Sequence, residues 1–136
     1  FPDRAFETAL CVRLLPHCQA WPALVSELCR VAARQVIVDY PTTRSLNRFA
    51  PALFDAKKQI EGNTRTWRMF SDREIRAEFA KHGYRPGGQA GQFFFPMVLH
   101  RLMKCRPLSA AMEGAARLAG LNRLFGSPVI VRMVRA

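Results

Sequence analysis

One stretch near the start constrains the fold more than any other, because it sets a short apolar run, an amphipathic stripe and a second apolar run in succession. Phe6 to Val12 is mostly apolar and ends in a polar loop that Pro16 keeps irregular. Trp21, Leu24, Val25, Leu28, Cys29 and Ala32 then recur at the three-and-four spacing of a helix with one apolar face. Gln35-Val36-Ile37-Val38-Asp39 follows as a continuous β-branched run, the pattern of a strand buried on both faces in a parallel sheet. Strand, helix and strand make one βαβ unit with an expected right-handed crossover, and they set the fold class as α/β. Open α/β sheets bind ligands beyond the carboxyl ends of their strands. Two loops leave that edge here, Arg13 to His17 and Tyr40 to Thr43, so their polar residues are the first site candidates.

Farther along, the signals are local. Leu46, Phe49, Leu53 and Phe54 could line a helix that Pro51 would kink, and Gly62-Asn63-Thr64 marks a turn. Ser71-Asp72-Arg73-Glu74 is a capping box, opening a helix with Ile75 and Phe79 on its inner face and a stop at Gly83. Gly87, Gly88 and Gly91 are expected to interrupt the next segment, leaving Gln92 to Phe95 as a short strand. Met97 to Lys104 reads as a helix. Another starts at Pro107, carries Met112, Ala115, Ala116 and Ala119, and closes at Gly120. Pro128 to Val134 is a final strand.

Composition narrows the function classes. Of 136 residues, 21 are Lys or Arg and 10 are Asp or Glu, a formal charge of +11, and the whole excess lies after Val31. These cations are scattered and never form the run of five or six typical of a nucleic-acid tail, so no nucleic-acid partner is expected. The apolar fraction of 49% suits a globular domain, and no apolar stretch reaches the roughly 20 residues of a spanning helix. Cys11, Cys18, Cys29 and Cys105 show no C-x-x-C spacing, so neither a zinc nor a redox pair is expected, and a reducing cytoplasm is inferred. Phe93 to Arg106 mixes bulky apolar residues with cations. It could rest peripherally on an anionic membrane, although a core segment with snorkelling cations is the plainer alternative.

In their order and spacing, these segments resemble the C-terminal half of a class I S-adenosylmethionine-dependent methyltransferase. Phe6-Glu7-Thr8-Ala9-Leu10-Cys11-Val12 through His17 resembles that family's fourth strand and following loop. Leu24-Val25-Ser26-Glu27-Leu28-Cys29-Arg30-Val31 resembles its next helix, and Val36 to Tyr40 its fifth strand. Ser71 to Tyr84 resembles the helix leading to the sixth strand, and Gly126 to Ile130 the start of an antiparallel last one. Glu7 stands where the family usually has Asp, and Ala32-Ala33-Arg34 replaces its glycine linker. The Gly-rich loop and the acidic residue that hold the cofactor have no counterpart in these residues. The resemblance therefore implies a partial Rossmann-like sheet, strands four to seven of one domain over residues 1–136, with the N-terminal half missing. Residues 44–70 would be a substrate-side insertion, and 93–122 a helical segment before the last strand.

The function so implied is methyl transfer from S-adenosylmethionine to a small-molecule acceptor on O, C or N, of quinone-like or lipidic type, with no metal. The fragment alone is expected to be inactive. Cys11, Val12, Arg13 and Leu14 would line the cofactor pocket, and His17 would be the general base, its near-neutral pKa suiting a proton taken from an attacking hydroxyl or amine. A loop-orienting histidine is the alternative for His17. Tyr40, Asn63 and Arg65 are the expected substrate contacts, with Thr64 beside them, because an arginine there could clamp a carboxylate or phosphate. His82 and His100 are expected to be structural. Two rivals stand against this reading: a basic module for RNA or an anionic lipid surface, and another doubly wound enzyme such as a dehydrogenase or hydrolase. Oligomeric state is not readable from the sequence.

Overall fold

A computed structural model describes residues 1–45, 67–95 and 104–136. Its centre is a four-stranded sheet of β1 (Phe6–Cys11), β2 (Ala32–Tyr40), β3 (Tyr84–Phe93) and β4 (Ser127–Arg135), in the order β1-β2-β4-β3. β1 and β2 run parallel, while β4 pairs antiparallel with β2 on one side and β3 on the other. The expected βαβ unit is therefore present, with α1 (Trp21–Val31) as its crossover. Pro22 stands in the first turn of α1, where a missing N–H costs nothing. At its other end α1 passes directly into β2. There the Arg135 guanidinium donates to the Cys29 and Ala32 carbonyls at 2.8 Å, supplying cationic donors where a helix leaves its carbonyls unpaired.

The core lies on one face of the sheet. Register places Val36 beside Met133, Val38 beside Val131 and Tyr40 beside Val129, all buried under α1 and α2 (Asp72–Ala80). Val25 and Cys29 from α1, and Ile75 and Phe79 from α2, meet them there. Each such fully buried apolar side chain stabilises the fold by roughly 1.5–3 kcal/mol. The sheet's other face is different. Phe6 and Leu10 of β1 are 42% and 65% exposed, and Ile37, Ile130 and Val134 are only half-buried. Among the described residues β1 is also an edge strand, with a partner on one side alone.

The glycine-bearing segment departs from expectation. Tyr84–Phe93 is one strand of 10 residues paired along β4, not a broken segment ending in a short strand. Pro86 and Gly88 are absorbed by a register shift between them, as an edge strand allows. Gly91 has a packing reason: a Cβ there would sit 2.2 Å from the Asn122 carbonyl oxygen. That carbonyl belongs to a short helix, α4 (Leu121–Phe125), which the periodicity did not reveal. It follows α3 (Arg106–Leu118), which begins at its expected proline and is separated from α4 by left-handed Gly120. Most of the expected helix from Met97, and all of the expected helical pattern around Phe49 to Phe54, lie outside the described residues.

Candidate active-site rim

Beyond the carboxyl ends of β1 and β2, three segments meet. The first starts at Arg13, which adopts a left-handed backbone (φ 57°) that a non-glycine residue occupies only when its surroundings hold it there. What holds it is Asp39, next to last in β2. Its carboxylate accepts the Arg13 backbone N–H at 2.6 Å and is itself only 4% exposed. A charge-assisted bond of this kind is roughly twice as strong as a neutral one. The turn it creates leaves Val12 and Leu14 about half exposed and sends the chain into a single 3-10 turn, Leu15–His17. Leu15 and Pro16 are buried and pin that turn, which leaves His17 on the exposed side of the rim.

The second segment extends β2 past Tyr40. Thr42 and Phe70 form an isolated parallel bridge, with the Phe70 N–H donating to the Pro41 carbonyl and the Thr43 N–H to the Phe70 carbonyl. The third segment, Arg68 to Asp72, is thereby tied to the second, and the Arg68 N–H ties it to the first through the Pro16 carbonyl at 3.0 Å. The Arg68 guanidinium lies over the rings of Trp21 and Phe70 at 5.5 and 5.1 Å and donates to Glu74 at 2.8 Å. Ser71 and Glu74 form the expected capping box, and their hydrogen bonds hold the Glu74 carboxyl below its usual range.

Asp72 is the hub of the rim. It accepts from the Tyr40 hydroxyl at 3.0 Å and the Thr42 hydroxyl at 3.3 Å, and it ion-pairs with Arg44. Burial first, and the Asp72 charge second, push the Tyr40 hydroxyl far above its ordinary pKa, so it stays protonated and donates. An open hollow of about 670 Å³ adjoins this hub, lined by Arg44, Ser71, Asp72, Arg73, Arg76 and Ala77. Arg76 also donates to Gln89 of β3, so two of its three arginines already bind groups of this chain.

The sequence-based candidates fall out unevenly. Arg13, Leu14, His17 and Tyr40 do share one rim, as their positions after the two strands implied. Cys11 points its thiol into the core, where burial raises its pKa, so at that position the backbone alone faces the rim. Tyr40 is buried with its hydroxyl committed to Asp72. Asn63, Thr64 and Arg65 lie outside the described residues, as does His100, while His82 sits in the turn after α2 at the opposite end of the sheet. Asp39, Arg44, Arg68 and Asp72 escaped sequence reasoning. Asp39 read as the polar end of a strand and Asp72 as a cap neighbour, since nothing in spacing alone shows which side chains converge. Among the described residues no group of three His, Cys, Asp or Glu side chains could hold a metal.

No protein-family model and no curated protein matches this sequence. Solved structures do. A methyltransferase of Thermotoga maritima matches at TM-score 0.61 and 15% identity, over 98% of this chain and 58% of its own. Magnesium protoporphyrin IX methyltransferase of Synechocystis, solved with S-adenosylhomocysteine, matches at TM-score 0.55 and 15% identity, over 96% and 45%. This is the class I methyltransferase fold. A chain in the complex between the Trm112 methyltransferase activator of Haloferax volcanii and its partner methyltransferase matches at TM-score 0.56 and 13% identity, over 100% and 56%. The chain thus spans about half the length of each of these methyltransferase structures. Their methyltransferase fold accounts for the antiparallel β4 between two strands that run the other way.

Proposed function

We propose that this chain serves S-adenosylmethionine-dependent methyl transfer to a small-molecule acceptor, as one part of a methyltransferase domain. The observation that carries the reading is the Asp39-held turn at Arg13. It places Val12, Leu14 and His17 together at the carboxyl rim of a parallel strand pair within this fold. The residues present fit the cofactor in part. Half-exposed Val12 and Leu14 offer an apolar wall, while Asp39 beneath the turn is buried with Oδ1 accepting the Arg13 N–H, and the loop itself carries no acidic side chain for a ribose. The remaining cofactor contacts would come from parts of the domain this chain does not contain, pairing on the open edge of β1. The activity belongs to that whole domain, and the chain by itself is inactive.

When bound, the cofactor would supply an electrophilic methyl on a sulfonium, whose carbon–sulfur bond breaks on transfer so that the sulfur leaves as a neutral thioether. The chain's own residues position the acceptor and manage its proton. His17, exposed at the end of its 3-10 turn, takes the proton from an acceptor hydroxyl or amine as the oxygen or nitrogen forms its new bond to carbon. Tyr40 acts through Asp72, holding the hub that shapes the acceptor side, with Asn63 and Arg65 as further acceptor contacts. No helix among the described residues is long and apolar enough to cross a membrane, and the reducing cytoplasm is the compartment proposed for its free thiols. Titration calorimetry with S-adenosylhomocysteine on the full coding chain tests the reading. Micromolar binding is expected, and His17→Gln should lower methyl transfer roughly 100-fold or more while leaving that affinity unchanged. No binding by the full chain sinks the proposal, and full activity in the variant removes His17 from it.

A further inference from the structure

Phe93 to Arg106 mixes bulky apolar residues with cations, and the structure carries the same mixture onto α3 and α4. α3 is an amphipathic helix turned the unusual way out. It packs through Ala116 and through half-buried Ser109, Met112 and Glu113, while Leu108, Ala111, Ala115 and Leu118, spaced as one stripe, are all exposed. Leu118 is 93% exposed, and Leu124 and Phe125 of α4 add 58% and 43%. Single exposed leucines are ordinary, but a whole helix stripe followed by two more exposed large residues is not.

The charges of this segment have one outward sign. Lys104, Arg106, Arg117 and Arg123 are exposed, and no described acidic side chain pairs with them. Glu113, its one acid, is turned inward and accepts the Phe94 and Phe95 N–H groups and the Asn122 amide. On α3 the cations Arg106 and Arg117 lie opposite the leucine stripe, the arrangement of a helix lying in a membrane interface.

We propose that α3 and α4 form a docking face for an anionic lipid bilayer. The leucines and Phe125 enter the acyl boundary, and the four cations stay at the level of lipid phosphates and carboxylates. A second copy of this chain fits the same face poorly, because it would bring the same unpaired cations together. Nor does the face belong to whatever pairs with β1: α4 packs on β3, at the far end of the sheet from the open edge. The inference is independent of methyl transfer.

Co-sedimentation of the chain with vesicles tests it, comparing pure phosphatidylcholine with mixed phosphatidylcholine and phosphatidylserine. Binding is expected to the mixed vesicles only, weakening as salt is added. Arg117→Gln with Arg123→Gln should lower partitioning roughly thirty-fold, and Leu118→Glu at least about tenfold. Leu118 is almost fully exposed, so its variant should keep the wild-type thermal midpoint and circular dichroism. Leu10→Glu, on the uncovered face of the sheet, should bind as wild type does. Equal binding to both vesicle types overturns the proposal, as does indifference to Leu118→Glu, or loss of binding in Leu10→Glu alone. A monomer that binds neither vesicle, or a dimer dispersed by Leu118→Glu, overturns it too.

Discussion

Asp39 illustrates how one carboxylate can set a loop. It is buried, and its partner is a backbone N–H whose residue holds a left-handed conformation. Removing the acceptor strands that donor and frees the turn, so Asp39→Ala should cost about 1–3 kcal/mol in urea denaturation. Asp39→Asn should recover part of that loss, because an amide oxygen can still accept. Cys29 makes a second residue-scale case. Burial pushes its thiol up to about 12, against a nearby Arg135 that pulls it down. The unfolded thiol titrates near roughly 8.5, so the folded state retains a proton that the unfolded state loses. Stability from this group is complete below that pH and falls as pH rises toward 12. Burial raises Tyr40 and Tyr84 in the same direction. Denaturation across that window should show the decline, and Cys29→Ala should flatten part of it.

Elements here are decided by their ends and contacts. The capping box of α2 was legible because four consecutive residues carry it, and Ser71→Ala should cost about 1 kcal/mol of thermal or chemical stability. β3 departs from its local pattern for the opposite reason. Three glycines and a proline lower strand propensity, yet the whole length of β4 supplies it with a partner, and tertiary pairing overrides propensity. Gly91 is small because α4 ends against it. Gly91→Ala should therefore destabilise by roughly 1–3 kcal/mol, as backbone rather than a flexible side chain must move. A result near zero would mean that α4 does not pack on β3 in solution.

At the scale of the whole molecule, the described helices cover one face of the sheet, and among the described residues β1 ends the array with one neighbour. Hydrogen exchange should rank the strands accordingly, with β2 and β4, each flanked on both sides, slower than the edge strands β1 and β3. Binding a partner along the β1 edge should slow β1 selectively. The fold class and the parallel pair were readable from apolar spacing, and so was the edge of the sheet from which the loops after β1 and β2 leave.

Local pattern by itself determined the βαβ unit, the capping box, the last strand and, through their order, the likeness to methyltransferases. Each of these depends on residues near one another in the chain, where period and capping chemistry act. Only the tertiary structure decided that β4 inserts between β2 and β3, that Asp39 holds Arg13, and that Asp72 gathers Tyr40, Thr42 and Arg44. It also decided that the apolar stripe of α3 faces outward. These contacts join residues about 26 or more positions apart. They form when packing brings distant segments together, and no periodicity along the chain encodes which side chains then meet.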